Sequence, residues 1–161
     1  MKNEITNLTL DEKLRLLTGK NGWEFVYYEN KIDKLVMSDG PCGLRKVEHS
    51  EGTKEFSYPA TSMPAPSVLA NGWNKETVKK VAAGIADDCI EQGVDVLLAV
   101  GINLKRDPRC GRIFEYFSED PLLSGKMAAA QSRGIAKSGC TTTIKHFCCN
   151  NQEFSRNNCN A

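Results

Sequence analysis

NKETVKKVAAGIADDCIEQGVDVLLAVG, residues 74–101, runs a helical pattern into a strand pattern across a single glycine. Asn74 is the kind of residue whose side chain accepts from the free N–H groups of a first helical turn. Behind it Val78, Val81, Ala82, Ile85, Ala86, Cys89 and Ile90 recur at three- and four-residue steps, which lines them along one helix face, and Gly93 closes the run. Residues 94–100 are then almost continuously apolar and β-branched, the pattern of a strand buried on both faces of a parallel sheet, with Gly101 at its end.

The same alternation extends outward in both directions. Asp120-Pro121 supplies an N-cap followed by proline at the first helical position, and a Leu-, Met- and Ala-rich helix is predicted to about Ser138, before Gly139. Residues 141–144 form a third predicted strand that runs into Lys145-His146-Phe147. On the amino-terminal side, Leu35-Val36-Met37 is a short buried strand stopping at the polar turn 38–41. Thr9 and Glu12 form a capping box for a helix over residues 9–18, with Leu10, Leu14 and Leu17 on one face. Residues 40–73 hold Pro41, Pro59, Pro64 and Pro66 among several glycines and read as loop with room for one short strand. Strand, helix, strand, helix, strand is the signature of right-handed βαβ units, so the fold class is α/β. In such folds functional groups gather beyond the carboxyl ends of the strands, where Asp39, the stretch from Asn103 to Arg112, and Lys145-His146 all fall.

The chain has 161 residues, 40% hydrophobic and 25% charged, and 21 Lys+Arg against 20 Asp+Glu leave a net charge of +1. That composition excludes a disordered tail, a collagen-like repeat and a coiled coil, and the charge balance argues against nucleic acid or an anionic membrane as partner. No apolar run approaches the roughly 20 residues of a membrane span. Residues 1–6 lack a basic-then-apolar export pattern. The seven cysteines are odd in number and scattered, which fits reduced thiols. The expected location is therefore cytoplasmic, and the Asn7-Leu8-Thr9 sequon is read as chance.

Each polar constellation admits two readings. Asp39 and Arg45 flank a tight turn, either as a turn-stabilising carboxylate beside a surface arginine or as an acceptor and a forked donor for vicinal hydroxyls. Lys105, Arg106, Arg109 and Arg112 crowd one loop, either as an ion-paired surface or as a phosphate site that the nearby Glu115, Glu119 and Asp120 would oppose. Lys145 and His146 adjoin at a strand end, where neighbours point to opposite faces unless the backbone twists. His146 with Cys148, Cys149 and Cys159 matches no usual zinc spacing, and no metal or other cofactor is expected. His49, in a polar loop, reads as solvated.

Taken as a series, VMSDGPCGLR (36–45), GINLKRDPRCGR (101–112), FEYFSEDP (114–121) and Lys145-His146-Phe147 followed by Asn150-Asn151-Gln152-Glu153 resemble the β-glucosidase branch of glycoside hydrolase family 3. The resemblance implies a partial TIM-like (β/α)8 barrel, its first βα units carrying long βα loops, with residues 1–161 as the incomplete amino-terminal portion of the barrel domain and the family's second domain expected to be absent from them. It implies a retaining enzyme that removes terminal β-D-glucosyl residues from a β-glucoside or short β-linked oligosaccharide. Asp39, Arg45, Arg112, Lys145, His146 and Arg156 would bind the sugar, Arg156 by supporting the subsite or orienting the nucleophile. The family's nucleophilic aspartate and its acid/base glutamate are expected beyond residue 161, so the isolated chain is expected to be inactive and to self-associate through unpaired barrel edges. A sugar-binding domain without catalysis, a phosphate-binding barrel and a β-N-acetylhexosaminidase remain as alternatives. The last is opposed by Cys148-Cys149-Asn150-Asn151, which does not resemble that branch's Gly- and His-containing loop.

Overall fold

The computed structural model describes residues 5–147 and 149–158. Thr9 and Glu12 close the capping box: the Thr9 hydroxyl accepts from the Glu12 N–H at 3.2 Å and the Glu12 carboxylate from the Thr9 N–H at 2.7 Å, opening α1, Leu10–Arg15. Leu10, Leu14 and Leu17 share a face as predicted, and that face is exposed.

β1, Met37–Asp39, lies two residues later than the predicted strand, so that Asp39 is its final residue instead of part of the turn behind it. The loop reading of residues 40–73 is corrected. β2, Val47–Glu51, and β3, Lys54–Ser57, pair as an antiparallel hairpin, and α2, Pro66–Asn71, follows. The hairpin escaped the sequence because its strands are mostly exposed on both faces and lack a two-residue apolar period. α2 escaped because Ala65, at its cap, makes no side-chain hydrogen bond.

α3, Lys75–Glu91, begins as predicted, with the Asn74 side chain accepting from the N–H groups of Glu76 and Thr77. β4, Val96–Leu98, is shorter than its apolar run, and only Leu97 is fully buried; Val96 and Leu98 are half-buried. The expectation of a strand covered on both faces therefore holds on the helix-facing side alone. α4, Pro121–Ala136, is capped by the Asp120 side chain accepting from Leu123 N–H, and β5, Thr141–Thr142, is half the predicted length. β1, β4 and β5 form a parallel three-stranded sheet in the order β1-β4-β5. The register is Met37↔Val96 and Ser38↔Leu97 on one side of β4, and Val96↔Thr141 on the other. Among the described residues this is an open, partial barrel: β1 and β5 are edges, not closed on each other.

The core lies between the sheet and the helix pair. Ile85, Ala86 and Cys89 of α3 meet Leu97, Ala99 and Ile135, while Val78, Val100, Phe117 and Met127 fill a second cluster. α3 and α4 come into close contact at Gly134, where an added Cβ would come within 2.6 Å of Ala82 Cβ and 2.8 Å of Lys79 O. A valine there must push one helix off the other. Gly134→Val is expected to cost about 1–3 kcal/mol through overpacking, measured as a lowered urea midpoint, and an unchanged midpoint would mean that the two helices are not locked at this crossing.

No helix among the described residues is long and apolar enough to cross a membrane.

Candidate functional site

The carboxyl ends of the three parallel strands lie side by side, and the end of β1 borders a cleft. Asp39 ends β1, and beyond β4 and β5 the pairing continues as a parallel bridge between Gly101 and Lys145, with Lys145 N–H donating to Val100 O at 2.8 Å and Ile102 N–H to Lys145 O at 2.8 Å. The turn after Asp39 folds back on itself: Arg45 N–H donates to Asp39 O at 2.8 Å, and the Ser38 hydroxyl to Arg45 O at 2.7 Å. The turn is fixed to its surroundings by Met63 N–H donating to Cys42 O at 2.9 Å.

At the floor, Lys145 Nζ lies 2.9 Å from Asp39 Oδ1 and 3.2 Å from Glu115 Oε2. Glu115 is only 2% exposed, and its other oxygen accepts from Arg112 Nε. The result is a row, Asp39, Lys145, Glu115, Arg112, in which charge alternates and each buried ion has an opposite neighbour. The row borders a cavity of about 520 Å³ lined by Asp39, Arg45, Arg112, Phe114 and Arg156 among others. Cys42 lines it too, and burial, then the Glu115 charge, pushes its thiol pKa up, which keeps it protonated and a poor nucleophile.

Arg112 and Arg156 also line an adjoining cavity of about 370 Å³ with His146. The Lys145–His146 peptide is cis. Lys145 faces the carboxylates, while His146 Nδ1 lies 2.8 Å from the Tyr116 hydroxyl. The Asn150 amide donates to that same hydroxyl at 2.9 Å and to Glu153 Oε1 at 2.7 Å, and Arg156 Nη1 donates to Glu153 Oε2 at 2.9 Å. Burial, then the Arg112 charge, holds His146 below the usual histidine range.

The six candidate residues thus share one region with different engagements. Asp39, Arg112 and Lys145 form a single ion row, and His146 and Arg156 belong to the neighbouring network. Arg45 reaches the rim but pairs with Glu55 of the hairpin at 2.5 Å. The loop cations do not converge. Arg109 is spent on Asp107, whose carboxyl its hydrogen bonds pull down to about 2, and of the four only Arg112 meets the cleft, at the end of the ion row and paired with Glu115. This defeats a phosphate site built from that cluster. Asp39 and Glu115 are bridged by the one Lys145 ammonium, and Glu115 is buried. Cys148 and Cys159 of the zinc reading lie outside the described residues, and among those described no group of three or more metal-ligating side chains gathers.

The parts that the sequence left unread are Tyr116 and Asn150 as partners of His146, and Glu115 as the base of Lys145. Glu115 carried a signal, since Arg112 and Glu115 are opposite charges three apart, brought together by the 3-10 turn Ile113–Glu115. Tyr116 and Asn150 carried none, being paired across 34 residues.

Residues 30–158 match the family described as Glycosyl hydrolase family 3 N terminal domain. The chain is similar to thermostable beta-glucosidase B of Acetivibrio thermocellus, 41% identical over 97% of this chain and 21% of that protein. It is similar to an exo-alpha-(1->6)-L-arabinopyranosidase of Bifidobacterium longum, 42% identical over 94% of this chain and 21% of that one. Among solved structures, beta-glucosidase 3B from Thermotoga neapolitana in complex with glucose superposes with a TM-score of 0.81 at 37% identity, over 92% of this chain and 23% of that one. The chain spans about a fifth of the length of the curated relatives it matches.

Proposed function

The chain belongs to glycosyl hydrolase family 3, and on that premise we propose that residues 1–161 are the amino-terminal portion of a barrel domain that supplies the sugar-binding part of a retaining β-glucosidase site. The substrate is a terminal β-D-glucosyl unit of a β-glucoside or short oligosaccharide. The observation that carries this reading is the charge-compensated row Asp39, Lys145, Glu115, Arg112 at the strand ends. A row of paired charges offers donors and acceptors without a net field, which suits a neutral polyol and not a phosphate. Asp39 accepts from sugar hydroxyls, while Arg45, Arg112, Lys145 and His146 donate, with Arg156 holding Glu153 beside them.

Retention requires two carboxyl groups about 5–5.5 Å apart, one attacking the anomeric carbon and one protonating the leaving oxygen. The described carboxylates nearest the cleft are committed: Asp39 and Glu115 to Lys145, Glu153 to Asn150 and Arg156. In this reading the nucleophile and the acid/base come from outside these residues. The isolated chain binds its sugar without metal or cofactor and self-associates through the open edges of β1 and β5, and the protein resides in the cytoplasm with reduced thiols.

The arabinopyranosidase relatives support a second substrate, because an α-L-arabinopyranoside, like a β-D-glucoside, presents an equatorial bond at its anomeric carbon. The test is equilibrium dialysis of the chain against labelled methyl β-D-glucoside and methyl α-L-arabinopyranoside, with inorganic phosphate as competitor, beside an assay on p-nitrophenyl β-D-glucoside. Saturable binding of the glucoside, indifferent to phosphate, with hydrolysis no faster than buffer, is the expected result. Preference for the arabinoside would move the substrate, and turnover by the pure chain would place the catalytic carboxyls inside it.

A further inference from the structure

We propose that Tyr116 is a positioning residue that holds His146 as the neutral imidazole with its proton on Nε2, so that the cleft presents a fixed hydrogen-bond donor where a titrating group would otherwise stand. The protons of the network are fixed in turn from its charged end. The Arg156 guanidinium donates to Glu153 Oε2, and Glu153 Oε1 lies 2.7 Å from Asn150 Nδ2. A carboxylate can only accept, so the nitrogen side of the Asn150 amide must face it. That orientation sends the amide's second N–H to the Tyr116 oxygen at 2.9 Å.

The Tyr116 side chain is almost wholly buried, and its hydroxyl has one proton to place. With the amide donating to its oxygen, the acceptor left beside it is His146 Nδ1, 2.8 Å away. Were Nδ1 protonated, two donors would converge on the tyrosine oxygen and its own proton would be stranded in the interior, at a cost of about 1–3 kcal/mol. Nδ1 is therefore the acceptor, and the ring proton sits on Nε2. Among the described residues Nε2 has no hydrogen-bond partner, and His146 borders the 370 Å³ cavity. The edge-on packing of the Tyr116 and His146 rings, 5.9 Å between centroids at 85°, fixes the imidazole plane.

The surrounding charges agree with a neutral ring. Burial acts first, Arg112 and Lys145 oppose a further cation, and the opposing pull of Glu115 and Glu153 is weakened because both carboxylates are already paired. The chain Arg156, Glu153, Asn150, Tyr116 thus converts the fixed negative charge of Glu153 into a fixed tautomer three links away. Its tautomer assignment stands on this geometry; that Nε2–H meets a sugar hydroxyl rests on the function proposed above.

The test is long-range ¹H–¹⁵N correlation on the uniformly labelled chain. It has two histidines, and His49, exposed between Glu48 and Glu51, serves as an internal reference that His49→Gln assigns. The expected spectrum shows His146 with a protonated Nε2 and a bare Nδ1 from about pH 8 down to below the ordinary histidine midpoint near 6.5. Tyr116→Phe removes the donor to the neutral ring, so the His146 midpoint is expected to rise by about half to one pH unit, with loss of the fixed tautomer. Should that variant not fold, the parent spectrum alone decides: a proton on Nδ1, or an average of both tautomers, overturns the proposal. A fixed Nε2–H tautomer in a chain that binds no glucoside would leave the positioning role standing and sink the sugar reading, and glucoside binding with the opposite tautomer would do the reverse.

Discussion

Replacing Lys145 with methionine is expected to lower the stability of the chain by about 3 kcal/mol and to abolish glucoside binding. The methionine keeps the apolar length of the side chain and removes the ammonium that Asp39 and Glu115 share. Asp39, partly exposed, recovers some solvation. Glu115 does not, since it is 2% exposed and stays behind as a buried carboxylate with Arg112 as its remaining ion partner. Breaking a buried ion pair from one side typically costs about 3–5 kcal/mol, and the surviving Arg112 contact places this case at the low end. The double variant Lys145→Met with Glu115→Gln is the control. It removes the stranded charge, so part of the stability should return while binding stays lost. If the single variant unfolds at the parental urea midpoint, the ion row does not exist as described.

Gly43→Val is expected to have the next largest effect, because it destroys the turn that carries Asp39 and Arg45. Gly43 adopts φ +119, and an added Cβ would lie 2.3 Å from Thr61 O. A side chain there meets both a backbone conformation that L-residues avoid and a carbonyl that cannot step aside. Together these should cost about 3 kcal/mol and remove glucoside binding. Gly52 separates the two causes. It lies in the hairpin turn at φ +61 with nothing within 4 Å of an added Cβ, so Gly52→Val meets the strained backbone without the clash. Its urea midpoint should fall by less than half as much, with binding retained; equal losses at both positions would assign the whole effect to φ.

These two sites mark the boundary of what the sequence discloses. Asn74, Asp120 and Thr9 announced their helices because a cap is a local event, settled by residues two or three apart. The βα order followed from the switch of apolar period at Gly93. Strand ends were less legible: β4 stops at Leu98 although its apolar run continues to Val100, because strand limits depend on where neighbours offer hydrogen bonds. The hairpin of β2 and β3 was invisible, since both strands are polar on each face. The candidate site divided in the same way. Asp39, Lys145 and His146 were legible as polar groups at strand ends, and their order along the chain carried the family resemblance. That Lys145 bridges Asp39 and Glu115, that Arg45 turns to Glu55, and that Tyr116 meets Asn150 are tertiary facts, each joining segments whose spacing leaves no mark in the sequence.

In the function proposed here the strand-end cluster of this chain binds a glucosyl unit. The most direct test of that binding is a titration of the ¹⁵N-labelled chain with methyl β-D-glucoside, followed at the backbone amides and at the His146 ring. Saturable shifts confined to the segments around Asp39, Arg112, Lys145 and His146, absent in an Asp39→Ala variant whose amide spectrum shows it folded, are the predicted result. A chain whose signals do not move, or move only on the outer faces of α3 and α4, would contradict it.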